Sequence, residues 1–166
     1  FDTTDYKDPV WRQSLNNTRS MWYSVQKVFS LVDKSYDLYI RTRFDLSYEE
    51  STSKLENMDR DCVSLWDGKT DHRVKNRGYY DVFAAGSYDT IGIYSELYSR
   101  LNWYLYKDTD YTNFLDGDSK LRNEYLLRWH LTTSGVPVKV YNTKSHNADG
   151  QIIRWLRLGY LYYLMN

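Results

Sequence analysis

Cysteine is almost missing from this sequence: Cys62 stands alone. No disulfide can form within the chain, which favours a reducing compartment, the cytoplasm of a host or a bacterium. No apolar run is long enough to span a bilayer. No stretch reads as a secretory signal. Excess charge is lacking as well, since 22 Lys and Arg balance 22 Asp and Glu. Binding to a phosphate backbone needs a basic face, so nucleic acid is not expected as the main partner. Nor is there a polybasic patch for a membrane surface. The three histidines, His72, His130 and His146, show no metal-ligand spacing. Walker loop, Gly-x-Ser-x-Gly elbow and Gly-x-Gly-x-x-Gly turn are all absent.

Aromatic residues are abundant instead, with 18 Tyr, 6 Trp and 5 Phe among 166 residues. Rings of this kind fill cores and also make platforms for sugars and bases. The length suits one domain with a real core. Within it, 1–17 read as an extended lead-in with an Asp8-Pro9 turn, 18–141 as the main body and 142–166 as a C-terminal element.

The chain is organised around Tyr36–Leu46. Leu38, Ile40 and Thr42 alternate with Tyr39, Arg41 and Arg43, the period of a pleated strand. Asp45 follows just past the strand's carboxyl end, where open α/β sheets bind ligands. Two guanidinium groups near a sheet core need a partner. An anionic ligand is one; an internal pair with Asp37 or Asp45 is the other.

Around this strand the pattern is α/β. Met21, Trp22, Val25, Val28, Phe29 and Val32 make one face of a helix over 18–33, which Asn17 or Thr18 can cap. Cys62–Trp66 reads as a second strand, with Cys62, Ser64 and Trp66 on one face. A polar loop over 67–78 is of a length usually kept for function. Tyr80–Gly86 is a short apolar strand that enters a small-residue turn. Ser87 or Asp89 then caps a helix to Tyr106, striped by Ile91, Tyr94, Leu97, Leu101 and Leu105. An acidic loop is expected over 107–119. A helix over 120–133 turns Leu121, Leu127 and Leu131 inward, with Gly135 just past its end. Val136–Tyr141 is a strand that Pro137 confines to an edge or a strand start. Residues 151–166 read as a strand and then a helix.

Several short motifs occur in order: Met21-Trp22-Tyr23-Ser24, Tyr36–Leu46, Asp81–Ser87, Ile93–Tyr98, Asn123–Leu127 and Gly135–Val140. Over 18–141 this order resembles GT-A-like glycosyltransferases of large DNA viruses, phages and bacterial surface-polysaccharide clusters. The resemblance implies a mixed sheet flanked by helices, a nucleotide-sugar donor and a glycan or protein hydroxyl acceptor. Such enzymes carry an Asp-x-Asp motif that holds a divalent metal, Mn or Mg, on the donor diphosphate. Here the triplet is Arg43-Phe44-Asp45. The last Asp remains as a metal or ribose ligand, and a guanidinium can neutralise diphosphate bidentately by fixed charge. The nucleotide-binding half that opens these enzymes is not found, so the expectation is a C-terminal portion or a reduced relative.

The donor-site candidates are therefore Arg41, Arg43, Asp45, Asp81 and Gly86. Each has an ordinary alternative: a solvated strand face for the arginines, a turn cap for Asp45, tight helix–strand packing for Gly86. Glu124, or Asp118 just before its helix, is the candidate base for transfer with inversion. For Glu124 the alternative is simply a favourable charge near a helix N-terminus. A non-catalytic carbohydrate-binding or particle-assembly module remains the second reading of the same residues.

Overall fold

A computed structural model of the chain describes residues 9–43, 57–66, 78–115, 120–141 and 162–165. For 9–12 and 162–165 only the backbone is described. The first helix, α1 (Pro9–Phe29), begins well before the expected start. Pro9 opens it, and a proline fits there because the first-turn N–H has no intrahelical partner anyway. From Pro9 on, the segment expected as an extended lead-in is therefore helical. Thr18 does not cap the helix. It lies inside α1, and its hydroxyl donates to the Leu121 carbonyl at 3.3 Å. The apolar face is the expected one extended backwards: Leu15, Trp22, Val25 and Phe29 are buried. The turn that follows is tied to the sheet by Tyr39, whose hydroxyl donates to the Asp33 carbonyl at 2.6 Å and accepts from the Tyr36 amide.

Five strands form one mixed sheet: β1 (Leu38–Thr42), β2 (Val63–Trp66), β3 (Phe83–Gly86), β4 (Val138–Tyr141) and β5 (Tyr162–Met165). Their order is β4-β2-β3-β1-β5. β2 and β4 are parallel, and every other pairing is antiparallel. It follows that β1, β2 and β4 run in one direction and β3 and β5 in the other. The expected edge role of the Pro137 strand is realised in β4.

Between β3 and β4 the chain is helical. The helix expected from Ser87 to Tyr106 is two: α2 (Tyr88–Ser95) and α3 (Leu97–Tyr106). They part at Glu96, whose amide is shared between the Gly92 and Ile93 carbonyls, at 3.1 Å each. Ser95 adds a bond from its hydroxyl to the Gly92 carbonyl at 2.8 Å, a local competitor of the regular helix ladder. The expected stripe survives the break, with Ile91, Tyr94, Leu97, Leu101 and Leu105 all buried. The loop expected over 107–119 contains α4 (Thr109–Leu115). Asp108 starts it by accepting from the Tyr111 amide at 3.0 Å. α5 (Asn123–Thr133) follows the expected span, and Gly135 takes φ +69° just beyond it.

Alternation along the strands separates two faces. Tyr39, Val63, Leu65 and Ala84 join the large helix-side core, where α2 lies on β1, β2 and β3, and α1, α3 and α5 pack around it. Leu38, Ile40, Phe83 and Ala85 face the other way with Met58 and Val82, and Trp66 and Tyr141 pack against them. The fold is α/β, a mixed sheet with helices. Among the described residues no helix is long and apolar enough to cross a membrane.

Candidate functional site

The parallel sense of β1, β2 and β4 brings their carboxyl ends to one end of the sheet, and β3 starts there. Pairing of Thr42 with Phe83 sets Arg43, just past β1, level with Val82, and Asp81 one residue beyond. Asp81 is 6% exposed. The segment before β3 lies on the start of α5: the Tyr79 amide donates to the Glu124 carbonyl at 2.9 Å. A Cβ on Gly78 would stand 2.7 Å from Glu124 Cβ, so glycine permits that approach. Tyr79 is two residues from Asp81, at most about 7 Å along the chain. Arg43, Asp81 and Glu124 thus gather at one end.

The other candidates separate. Arg41 is 0% exposed. It sits opposite Ala84, one residue before the end of β1, with its guanidinium carbon 6.0 Å from the Tyr94 ring centroid. That is cation–π range inside the helix-side core. The solvated-face alternative is excluded for Arg41. Lys34–Asp89 and Lys139–Asp59 are ion pairs of the described residues, and Asp37 takes part in neither. Gly86 lies at the far end, opposite Tyr39. A Cβ there would collide with Thr90 Oγ1 and come 2.7 Å from the Cys62 carbonyl oxygen. Tight helix–strand packing accounts for this glycine. Asp45 and Asp118 lie outside the described residues, as do His72 and His146.

One feature of this end escaped the sequence reading. Register aligns Thr42, Phe83, Trp66 and Tyr141 in a single rank across β1, β3, β2 and β4, on the face away from the helices. The Trp66 and Phe83 rings stack at its centre, 4.2 Å apart and 4° from parallel. The hydroxyls at its two ends, Thr42 Oγ1 and Tyr141 Oη, are closed to solvent and meet no hydrogen-bond partner among the described residues. Such orphans are uncommon, because a buried polar group without a partner costs about 1–3 kcal/mol. The period-two pattern put Trp66 on a known face, but nothing local links Thr42 to a strand a hundred residues later.

The described residues do not assemble a divalent-cation site. No three His, Cys, Asp or Glu side chains come together among them. His130 is elsewhere, locked in the helix layer at 1% exposed. Its Nε2 lies 2.6 Å from the Ile93 carbonyl, which can only accept, so Nε2 carries a proton. Nδ1 then accepts from the Tyr104 hydroxyl at 2.9 Å. Burial is the main cause that pushes the His130 pKa down, partly opposed by the Ile93 carbonyl. Burial likewise raises the Cys62 thiol, which leaves it a poor nucleophile.

Compared with protein families, curated proteins and solved structures, the chain matches no family model, no curated protein and no solved structure.

Proposed function

We propose that this chain is a glycosyltransferase that moves a sugar from a nucleotide-sugar to a hydroxyl acceptor. One observation carries the reading. The backbone positions of Arg43, the buried Asp81 and the first turn of α5 with Glu124 lie toward the end of the sheet where three strands finish. Asp45 follows Arg43 by two residues in the sequence. Ligands of open α/β sheets bind in this position.

In the reaction an acceptor hydroxyl oxygen forms a bond to the anomeric carbon. The bond from that carbon to the diphosphate oxygen breaks, and the nucleoside diphosphate leaves with the electron pair. Arg43 balances the charge that builds on the leaving diphosphate. Asp45 contacts the donor ribose. With inversion, the Glu124 carboxylate takes the acceptor's proton. Asp81, held out of water, orients a sugar hydroxyl as an acceptor of its hydrogen bond.

Calorimetry with a panel of nucleotide-sugars, with and without manganese, tests this. Heat of binding to at least one donor is expected. Arg43→Ala should weaken that donor roughly 10- to 100-fold, the loss of a charge-assisted bond. Lys at this position should restore only part of it, because a point charge lacks the planar fork. Absence of heat with every donor, in both conditions, removes the transferase reading. Binding of free saccharides alone would point to the non-catalytic module.

A further inference from the structure

Large rings on a helix usually bury most of their area, yet Trp103 of α3 is 57% exposed. It does not stand alone. Ser99, Asn102 and Tyr106 are exposed too, and spacings of three and four residues place all four on one side of α3. This surface continues onto α1 at two points. Gln26 Nε2 donates to Ser99 Oγ at 2.6 Å. The ring of Tyr23, 50% exposed, meets the half-buried Tyr98 ring edge-on at 5.3 Å.

The make-up of this surface selects its occupant. It holds rings, amides and a hydroxyl, and no aliphatic side chain. Rings of this kind stack on the C–H faces of a pyranose, and Asn102 and Ser99 offer hydrogen bonds to sugar hydroxyls. Charge lies on the border and has one sign. Lys27 follows Tyr23 by one helical turn, and Arg100 and Lys107 stand one turn to either side of Trp103, all three exposed. Asp108, the nearest acid in sequence, is turned inward, where it accepts from the Tyr111 amide and the Trp129 indole. Rings rimmed by cations fit a sugar that carries carboxylates. A nucleic-acid backbone needs a larger basic face than a chain of zero net charge provides.

We infer that the α1–α3 surface binds an acidic oligosaccharide, one built of uronic-acid units, with its rings on Trp103 and Tyr23 and its carboxylates toward Lys27, Arg100 and Lys107. From Ser99 to Tyr106 the surface runs about 10 Å along α3, more than one pyranose ring covers. Naming this oligosaccharide as the acceptor rests on the transferase reading; its binding does not.

NMR titration of the full chain with a trimer of galacturonate, at low and at high salt, tests the surface. Maltotriose serves as the neutral sugar, polyglutamate as the acid without sugar rings, and oligouridylate as the nucleic acid. Saturable binding of the uronate is expected without any nucleotide-sugar present, weakened by salt because the charges are exposed. Trp103→Ala should weaken it roughly tenfold. Arg100→Gln and Lys107→Gln should each weaken it about two- to fivefold. None of the three should shift the melting temperature, because each side chain is exposed.

Absence of uronate binding overturns the inference, as does binding that Trp103→Ala leaves intact. Equal or tighter binding of maltotriose, polyglutamate or oligouridylate overturns it as well. If a nucleotide-sugar binds and the uronate does not, this surface fails and the transferase reading stands. If the uronate binds and no nucleotide-sugar does, the surface stands and the transferase reading fails.

Discussion

The two ends of the sheet are built on opposite principles. At the end where β3 stops, polar groups are satisfied and space is filled. The Tyr39 hydroxyl is bonded twice. Ser87 accepts from the Thr90 amide at the start of α2. Gly86 has no room for a methyl group. At the end where β3 begins, Thr42 and Tyr141 present buried hydroxyls without partners among the described residues, and Asp81 is a buried acidic residue. Polar groups left costly in one region and settled in another are the mark of a site supported by a scaffold. The contrast teaches where stability is made and where it is given up.

Substitutions at the two ends should accordingly fail in different ways. The largest effect is expected at the open end. Glu124→Gln should lower kcat by roughly 10²- to 10⁴-fold if this carboxylate is the base. Its stability should fall by less than about 1 kcal/mol, the worth of a charge in a helix's first turn. Steady-state transfer assays and urea unfolding on the same preparation measure both. Transfer at the wild-type rate would return Glu124 to a purely helical role.

At the closed end the pattern should reverse. Gly86→Ala forces a methyl group onto Thr90 and the Cys62 carbonyl. Overpacking of this kind should cost about 1–3 kcal/mol in urea unfolding, with donor affinity kept in the fraction that stays folded. An unchanged midpoint would mean that this end is as loosely built as the other.

The smallest effect concerns how far the settled region extends into the helices. His130 is buried neutral, and its pKa in the folded chain lies below the 6.5 of a free histidine. The unfolded chain therefore takes up the proton first as pH falls. His130's contribution is complete above pH 6.5, declines as pH drops through that value, and stops declining below the depressed folded pKa. The slope for one proton is at most about 1.4 kcal/mol per pH unit. Unfolding curves between pH 7 and 5 should show this decline, and His130→Gln should flatten it. An identical decline in the variant would assign it to other groups.

Much of this architecture can be read from local pattern. Period-two alternation marks β1 and β2 with the correct faces, and three- and four-residue spacing marks the helices. Where local reading failed, a single residue's local chemistry had decided the matter. Pro9 opens a helix that a turn signal seemed to exclude. Asp108 starts α4 inside an acidic stretch that read as a loop. Ser95 and Glu96 divide a continuous apolar stripe into two helices. The candidate site was legible only in part. Arg43, Asp81 and Glu124 were named from sequence and have backbone positions toward one end of the sheet, but Arg41, equal to Arg43 by alternation, is buried against Tyr94 of the helix-side core.

By itself, then, the chain's order of residues determined most element types up to Tyr141, though not α4 or the strand β5 that stands where a helix is expected, together with the two-faced character of the strands and the charge at the end of β1. Those depend on contacts between near neighbours, which spacing encodes. Tertiary structure alone decided that Gly86 and Asp81 lie at opposite ends, and that Tyr141 joins Thr42 in one rank. Strand order and register bring together positions about a hundred residues apart, and no short-range signal specifies which strand will be the neighbour of which.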